Sequence, residues 1–446
     1  MKRIVVMGGG PAGVEAALAA APCAQSVHII TDGPVGNWHK LMPSRVWMTA
    51  LEEIPSAAGD YVSGRFDLKA IAERVDQVAQ SWNAHRAAEL EGQGVSILTG
   101  RASFAAPNQI QVQQTDERSR IIAADAVVIA AGSTPFFPPG LEPDSQRVWS
   151  PGTVGQMEAL PQSMLVIGDG PPGFEFVEIF TRLGIPVTWV VLEGGPRCGF
   201  VPEADQFLLG SLQRRSLRIE AGKPLLDLQR HPDKVAAVKA DGTRLEAEMA
   251  FVTVGHRPNL EPLRLAAAGL ATNAQGLLQP DPYGRTQVPH IYIVGDAIRH
   301  APGNFAMAQA RVAARHATGQ EVAPFEAGST VVCFGLNPQV AQVGLLEAED
   351  GTVKSISIPY KASILAHING GLEGFLRLAW DRSGLVVGGL AIGRQATEAL
   401  APVGIAIQTK TSIDRLAQMQ GPHPTVGELS YIAARQACQQ MERTDR

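Results

Sequence analysis

Gly8-Gly9-Gly10-Pro11-Ala12-Gly13 stands between an apolar run, Arg3 to Met7, and a stretch of helix formers, Val14 to Ala20. Glycines at this spacing suit one chemistry. Gly8 permits a tight turn, Gly10 lets the backbone approach a pyrophosphate, and Gly13 lets the helix pack closely on the strand. The helix start, entered through Pro11 and Ala12, offers unpaired N–H groups and a positive dipole end to phosphate. Asp32 follows the next apolar run, Val27 to Ile30, where an acid takes ribose hydroxyls.

The pattern returns after Met164 to Ile167 as Gly168-Asp169-Gly170-Pro171-Pro172-Gly173, followed by Phe174 to Phe180 and a strand-like run, Val187 to Val191. One such motif is weak; two, each in strand–turn–helix context, define two dinucleotide sites. Proline has no N–H, so Pro171 and Pro172 withdraw two possible phosphate donors while stiffening the helix start. The strand-like run of this half ends on Val191, not on an acid. Glu193 suits the ribose of NAD and Arg197 a 2′-phosphate, so NADH and NADPH both stay open.

The elements that must position these loops fit two or three domains in 446 residues, with 45% apolar and 18% charged residues. The balance of 38 basic and 43 acidic residues, without a basic block, excludes a nucleic-acid footprint. No apolar run is long enough to span a membrane. Met1-Lys2-Arg3 imitates a secretory start, but Gly8 to Gly10 belong to the phosphate turn, and a cytoplasmic protein is expected. Cys23, Cys198, Cys333 and Cys438 form no CxxC or CxxxxC pair and are expected to be buried spectators. His290, His300 and His316 make no metal set, and no metal is expected.

Further segments carry a resemblance. Ala124 to Pro135, including Ala131-Gly132, Val254-Gly255-His256-Arg257-Pro258-Asn259, Val288 to Asp296 with Gly295-Asp296, and Phe305 to Ala314 with Ala306 occur in one order. Val331 to Gly344, Ala396 to Leu400 and His423 to Glu428 continue it. This order resembles the FAD-dependent pyridine nucleotide-disulfide oxidoreductases over nearly the whole chain. The resemblance implies an α/β fold with two Rossmann-like dinucleotide-binding domains and a C-terminal α+β dimerisation domain. FAD would occupy residues 1–145 and 272–323, NAD or NADP residues 146–271, and a homodimer interface residues 324–446. It also gives Ala131, Gly132, Gly255, Gly295, Asp296 and Ala306 as cofactor contacts.

One departure governs the chemistry. Met42-Pro43-Ser44-Arg45 matches the segment behind the family's redox-active CxxxxC, and the two cysteine positions then fall on Gly36 and Leu41. The dithiol relay is absent, so disulfide substrates are disfavoured. Glu175 keeps the family glutamate beside flavin and nicotinamide, and its lysine partner becomes Arg45, a planar, permanently charged fork. His423 and Glu428 match the family's His–Glu pair, which reaches the active site of the other subunit. Without a dithiol to serve, His423 would protonate a reduced acceptor, or remain only as an interface turn. In the replaced loop Trp38, with Trp47, is expected to fill vacated space, while His39 and Lys40 stand at the solvent edge. Ser44 is expected to start a helix.

The expected activity is therefore a FAD-dependent NAD(P)H oxidoreductase whose reduced flavin passes electrons to a small non-disulfide acceptor such as a quinone. Transhydrogenation between NADH and NADPH is the alternative within enzymes. A flavin-binding scaffold or redox sensor is the alternative outside them.

Overall fold

Val5 and Met7 point one way from the strand Arg3–Met7, and Ile4 and Val6 the other; all four are buried. A parallel strand covered on both faces reads as such a continuous apolar run. In the computed structural model, which describes residues 1–38, 42–53, 66–114, 116, 118–192, 194–213 and 216–444, this strand is the centre of a five-stranded sheet. The sheet order is Ile291–Ile293, Ala126–Ile129, Arg3–Met7, Ser26–Thr31, Ser96–Thr99, all parallel.

Ile4 and Val6 pack with the helices Pro11–Ala20 and Gly303–Ala317. Val5 and Met7 pack with Phe104, Ile110 and Val112 of an antiparallel three-stranded sheet and with Leu260 to Leu278. The helix Leu68–Gly92 begins at Asp67, whose carboxylate accepts from the N–H groups of Lys69 and Ala70. Residues 1–161 and 225–325 make up this compact unit. It also holds a parallel pair, Val148–Trp149 with Met249–Val252, and an antiparallel meander of Leu225–Arg230, Val235–Lys239 and Arg244–Ala247.

The second unit comprises residues 162–224 and 326–446. Its first part has three parallel strands in the order Leu217–Glu220, Val187–Val190, Met164–Ile167, with the helix Pro171–Arg182 following the glycine turn. Its second part is an antiparallel sheet of five strands, running from Val332–Phe334 through Gln339–Gly344, Val386–Gly393 and Phe375–Trp380 to Lys354–Pro359. Helices Ala396–Gln408, Ile413–Gln418 and Glu428–Thr444 bury its apolar side chains.

One expectation is corrected. Cys198 is buried, and Cys23 and Cys438 are partly so, but Cys333 is exposed. It lies at the middle of the edge strand Val332–Phe334, where alternation turns Phe334 inward and Cys333 outward. Among the described residues no helix is long and apolar enough to cross a membrane, and no cluster of histidine, cysteine or carboxylate side chains could hold a metal.

Candidate functional site: two dinucleotide loops and a His–Glu pair

The first loop is shaped by contacts that only glycine allows. Gly8 has φ +121°, and a Cβ there would lie 2.2 Å from the Ala130 carbonyl oxygen; one at Gly13 would lie 1.9 Å from that of Gly8. Around Gly10 and Gly132, by contrast, nothing stands within 4 Å of a Cβ position. The loop is therefore tight where strand meets helix and open where a phosphate would sit. Val14 N–H returns to the Gly10 carbonyl at 3.0 Å. The amides of Ala12 and Gly13, which precede it, have no protein acceptor among the described residues. Asp32 is exposed one residue past its strand, 3.5 Å from Arg101.

Distant segments gather around this loop. A Cβ on Gly295 would stand 2.9 Å from the Ala306 Cβ and 3.3 Å from the Ala12 Cβ, which brings the two helix starts and the Gly295 turn together. Gly295 N–H donates to Gln309 Oε1 at 3.0 Å. Asp296 Oδ2 accepts from Ser133 Oγ and meets His300 Nδ1, both at 2.9 Å. Asn259 donates to the carbonyls of Ala131 and Gly132 at 2.9 and 3.0 Å. His256–Pro258 pairs with Ser133–Pro135, carrying Gly255 to the same edge. Sequence reasoning missed Ser133, Asn259 and the His256–His300 stack, whose centroids lie 4.4 Å apart. The open cradle, the free helix-start amides and the convergence at the carboxyl ends of parallel strands fit a bound dinucleotide.

At the first of the two positions where the family carries its dithiol, the backbone is closely packed. Gly36 has φ +72°, its N–H donates to the Gly9 carbonyl at 2.7 Å, and its own carbonyl accepts from the Trp82 indole at 3.0 Å. A Cβ at this position would lie 2.8 Å from Arg86 Cγ. Arg86 is itself held by Glu15 and Glu89 at 2.8 and 2.6 Å. Trp38 packs on the start of the helix Gly303–Ala317, where a Cβ on Gly303 would meet its ring at 2.6 Å. Trp47 is buried, edge-on to Phe66 with centroids 5.3 Å apart. Ser44 is buried in the first turn of the helix Met42–Glu53, and Arg45, next to it, is partly buried. His39, Lys40 and Leu41 lie outside the described residues.

The second loop repeats the first with one change of consequence. Gly168 has φ +127°, and a Cβ on Gly173 would stand 2.5 Å from its carbonyl oxygen. That oxygen also accepts from the Trp189 indole at 2.7 Å. Here, however, Pro172 occupies the place of Ala12, and Gly173 N–H folds back onto the Gly170 carbonyl at 2.9 Å. None of the first three helical residues offers a free amide. Val191 is buried, and Arg197 N–H donates to the Asp169 carbonyl at 2.9 Å, bringing that exposed residue to the loop. Glu193 lies outside the described residues.

Further along the same helix Glu175 is buried, 8% exposed, and Glu178 is more so at 1%. Both carboxylate oxygens of Glu178 accept from Asn337 N–H at 3.1 Å, a tie that sequence reasoning did not find.

In the C-terminal part His423 Nδ1 lies 2.7 Å from Glu428 Oε2. The histidine side chain is 68% exposed and the glutamate 15%. Glu428 opens the helix Glu428–Thr444. The sequence-matched pair is thus brought together, with the imidazole accessible and the carboxylate sheltered.

Two dinucleotide loops followed by a separate interface sheet define a two-nucleotide oxidoreductase. The sequence profile of the pyridine nucleotide-disulphide oxidoreductases matches residues 2–317, and that of their dimerisation domain residues 330–432. The chain belongs to this family, whose membership implies FAD and NAD(P)H; the dimerisation domain supports a homodimer. It is 29% identical to a NAD(P)H dehydrogenase (quinone) of Mycobacterium tuberculosis (strain ATCC 25618 / H37Rv), over 97% of this chain and 93% of the relative. It is also 29% identical to a dihydrolipoyl dehydrogenase of Thermus scotoductus, over 95% of each. The crystal structure of LpdA from Mycobacterium tuberculosis superposes with a TM-score of 0.92 at 28% identity, covering 98% of this chain and 100% of that one.

Proposed function

We propose that the protein is a FAD-dependent NAD(P)H oxidoreductase that reduces a small non-disulfide acceptor of the quinone class. The observation that carries this reading is Gly36: left-handed backbone and the Arg86 side chain leave no room for the first thiol of a dithiol relay. A relative named NAD(P)H dehydrogenase (quinone), alike over nearly the whole chain, supports the same choice. When bound, the flavin supplies two-electron exchange with the nicotinamide nucleotide and onward transfer to the acceptor.

The chain's own residues then have distinct tasks. Gly8, Gly10, Pro11, Ala12, Gly13 and Asp32 hold the adenosine half and pyrophosphate of FAD, and Ala131, Gly132, Gly255, Gly295, Asp296 and Ala306 the remainder. Gly168, Gly170 and Gly173 shape the nicotinamide nucleotide site, with Glu193 as the ribose acid for NAD and Arg197 favouring NADP. Arg45 supplies positive charge on the flavin side, and Glu175 negative charge on the nicotinamide nucleotide side. His423, oriented by Glu428, delivers a proton to the acceptor oxygen. The corresponding domains are 1–145 with 272–323, 146–271, and 324–446, and the widely separated cysteines suit a reducing cytoplasm.

The test is an anaerobic titration of the flavin-loaded dimer with NADH and, separately, NADPH. Loss of the flavin band near ~450 nm, restored by a quinone but not by lipoamide, is the expected result. If neither nucleotide bleaches the flavin while dithionite does, the oxidoreductase reading fails and a binding role replaces it. Equal rates with both nucleotides, and transfer between them, would point instead to transhydrogenation.

A further inference from the structure

We propose that Ser363 is the positioning residue of the His423–Glu428 pair. This rests on the proton-donor role given to His423 above. Ser363 is 0% exposed and immediately precedes the short helix Ile364–Ile368. Its backbone N–H donates to the Tyr360 carbonyl at 2.9 Å, which fixes the residue. Its Oγ lies 2.9 Å from Glu428 Oε1 and 3.3 Å from the Thr425 carbonyl oxygen. A hydroxyl has one proton to give. The shorter contact, to a charged acceptor, takes it, because charge-assisted hydrogen bonds are the stronger kind.

Glu428 is thereby held at both oxygens, Oε1 by Ser363 and Oε2 by His423. The two partners are unequal. Ser363 is wholly buried within its own chain, whereas the His423 side chain is 68% exposed on it. The rigid end of the chain is therefore the serine, and orientation passes from Ser363 through the carboxylate to the imidazole. With Nδ1–H committed to Oε2, the ring has its Nε2 left for the acceptor.

In turnover the imidazolium gives its Nε2 proton to the acceptor oxygen, remains on Glu428 as the Nδ1–H tautomer, and recovers a proton from solvent. The sum is NAD(P)H, one proton and a quinone going to NAD(P)⁺ and a hydroquinone. Two electrons and one proton originate in the nicotinamide nucleotide, and the second proton passes through His423.

The experiment uses the flavin-loaded, full-length dimer with menadione and with ferricyanide, which takes one electron and no proton. Ser363→Ala is expected to lower kcat for menadione about tenfold, leaving KM for the nicotinamide nucleotide and the ferricyanide rate unchanged. Ser363→Thr, which keeps the hydroxyl, is expected to restore the rate to within about twofold of wild type. In a His423→Gln background Ser363→Ala should cost nothing more, because its effect runs through the histidine. An equal loss in that background, or an equal loss with ferricyanide, would show a merely structural serine and overturn the proposal. A loss in His423→Gln alongside a wild-type rate in Ser363→Ala overturns the positioning role alone. Full menadione turnover by His423→Gln overturns the proton-donor role and, with it, this inference.

Discussion

The indole N–H of Trp82 donates to the Gly36 carbonyl at 3.0 Å, and Arg86, four residues along the same helix, fills the place of a side chain at position 36. A glycine that began as a missing thiol is thus a structural requirement of this chain. Its left-handed φ of +72° and the 2.8 Å approach of Arg86 Cγ act together.

Gly36→Ala should consequently destabilise the protein more than Gly94→Ala does. Gly94 has nearly the same φ, +74°, but open space around it, so it bears only the backbone strain, about 1 kcal/mol or somewhat more. Thermal denaturation of the two variants side by side measures the difference. Equal melting temperatures would show that Arg86 yields freely.

Pro172→Ala should tighten the nicotinamide nucleotide site. It restores at the second loop the amide that Ala12 supplies at the first, and a hydrogen bond to a charged group is worth roughly tenfold or more in affinity. ADP-ribose, which carries the pyrophosphate without the nicotinamide, isolates the effect in calorimetry. An unchanged Kd would mean that the pyrophosphate does not lie at this helix start.

Arg197→Ala should raise KM for NADPH about tenfold and KM for NADH by less than twofold, as expected when one charged contact to a 2′-phosphate is removed. The backbone bond from Arg197 to the Asp169 carbonyl places the residue beside the loop, and its substitution leaves that bond in place. Steady-state kinetics with both nucleotides decides the matter. Parallel changes would remove Arg197 from the discrimination.

Acid should destabilise the flavin unit through His28. Burial, and after it the positive charge of Arg120, holds this imidazole below its ordinary value of 6.5. Its Nδ1 is buried without a hydrogen-bond partner among the described residues. Below pH 6.5 the unfolded chain takes up a proton that the folded chain declines. Stability from this group is therefore complete above 6.5 and falls as pH descends toward the lowered folded value. Melting temperatures measured between about pH 7.5 and 5.5 should decline less in His28→Gln than in wild type.

The glycine loops were legible in the sequence because their constraints are local. A strand that turns at once into a helix leaves room only for glycine at Gly8 and Gly13, and the same holds at Gly173, while Gly168 has the positive φ that favours glycine. His423 and Glu428 were legible only through the resemblance to the family's His–Glu pair, and the structure brings them to 2.7 Å. Ser133 with Asp296 and Ser363 with Glu428 were not, because sheet order and helix packing bring together residues 163 and 65 positions apart. No periodicity or spacing announces such pairs. The exposure of Cys333 escaped notice because Val331 to Phe334 is apolar throughout, while an edge strand still turns alternate side chains to solvent.

The unequal amides of the two loops have a kinetic meaning. A resident cofactor is served by every donor its loop can offer, since it stays through many cycles. A co-substrate must depart once oxidised, and a grip too firm makes its release the slow step. With the nicotinamide nucleotide at this loop, as proposed, the proline at position 172 and the inward turn of the Gly173 amide would shorten its residence time, acting on the dissociation rate rather than on encounter. One backbone plan, used twice, would thereby serve a permanent lodger and a passing visitor.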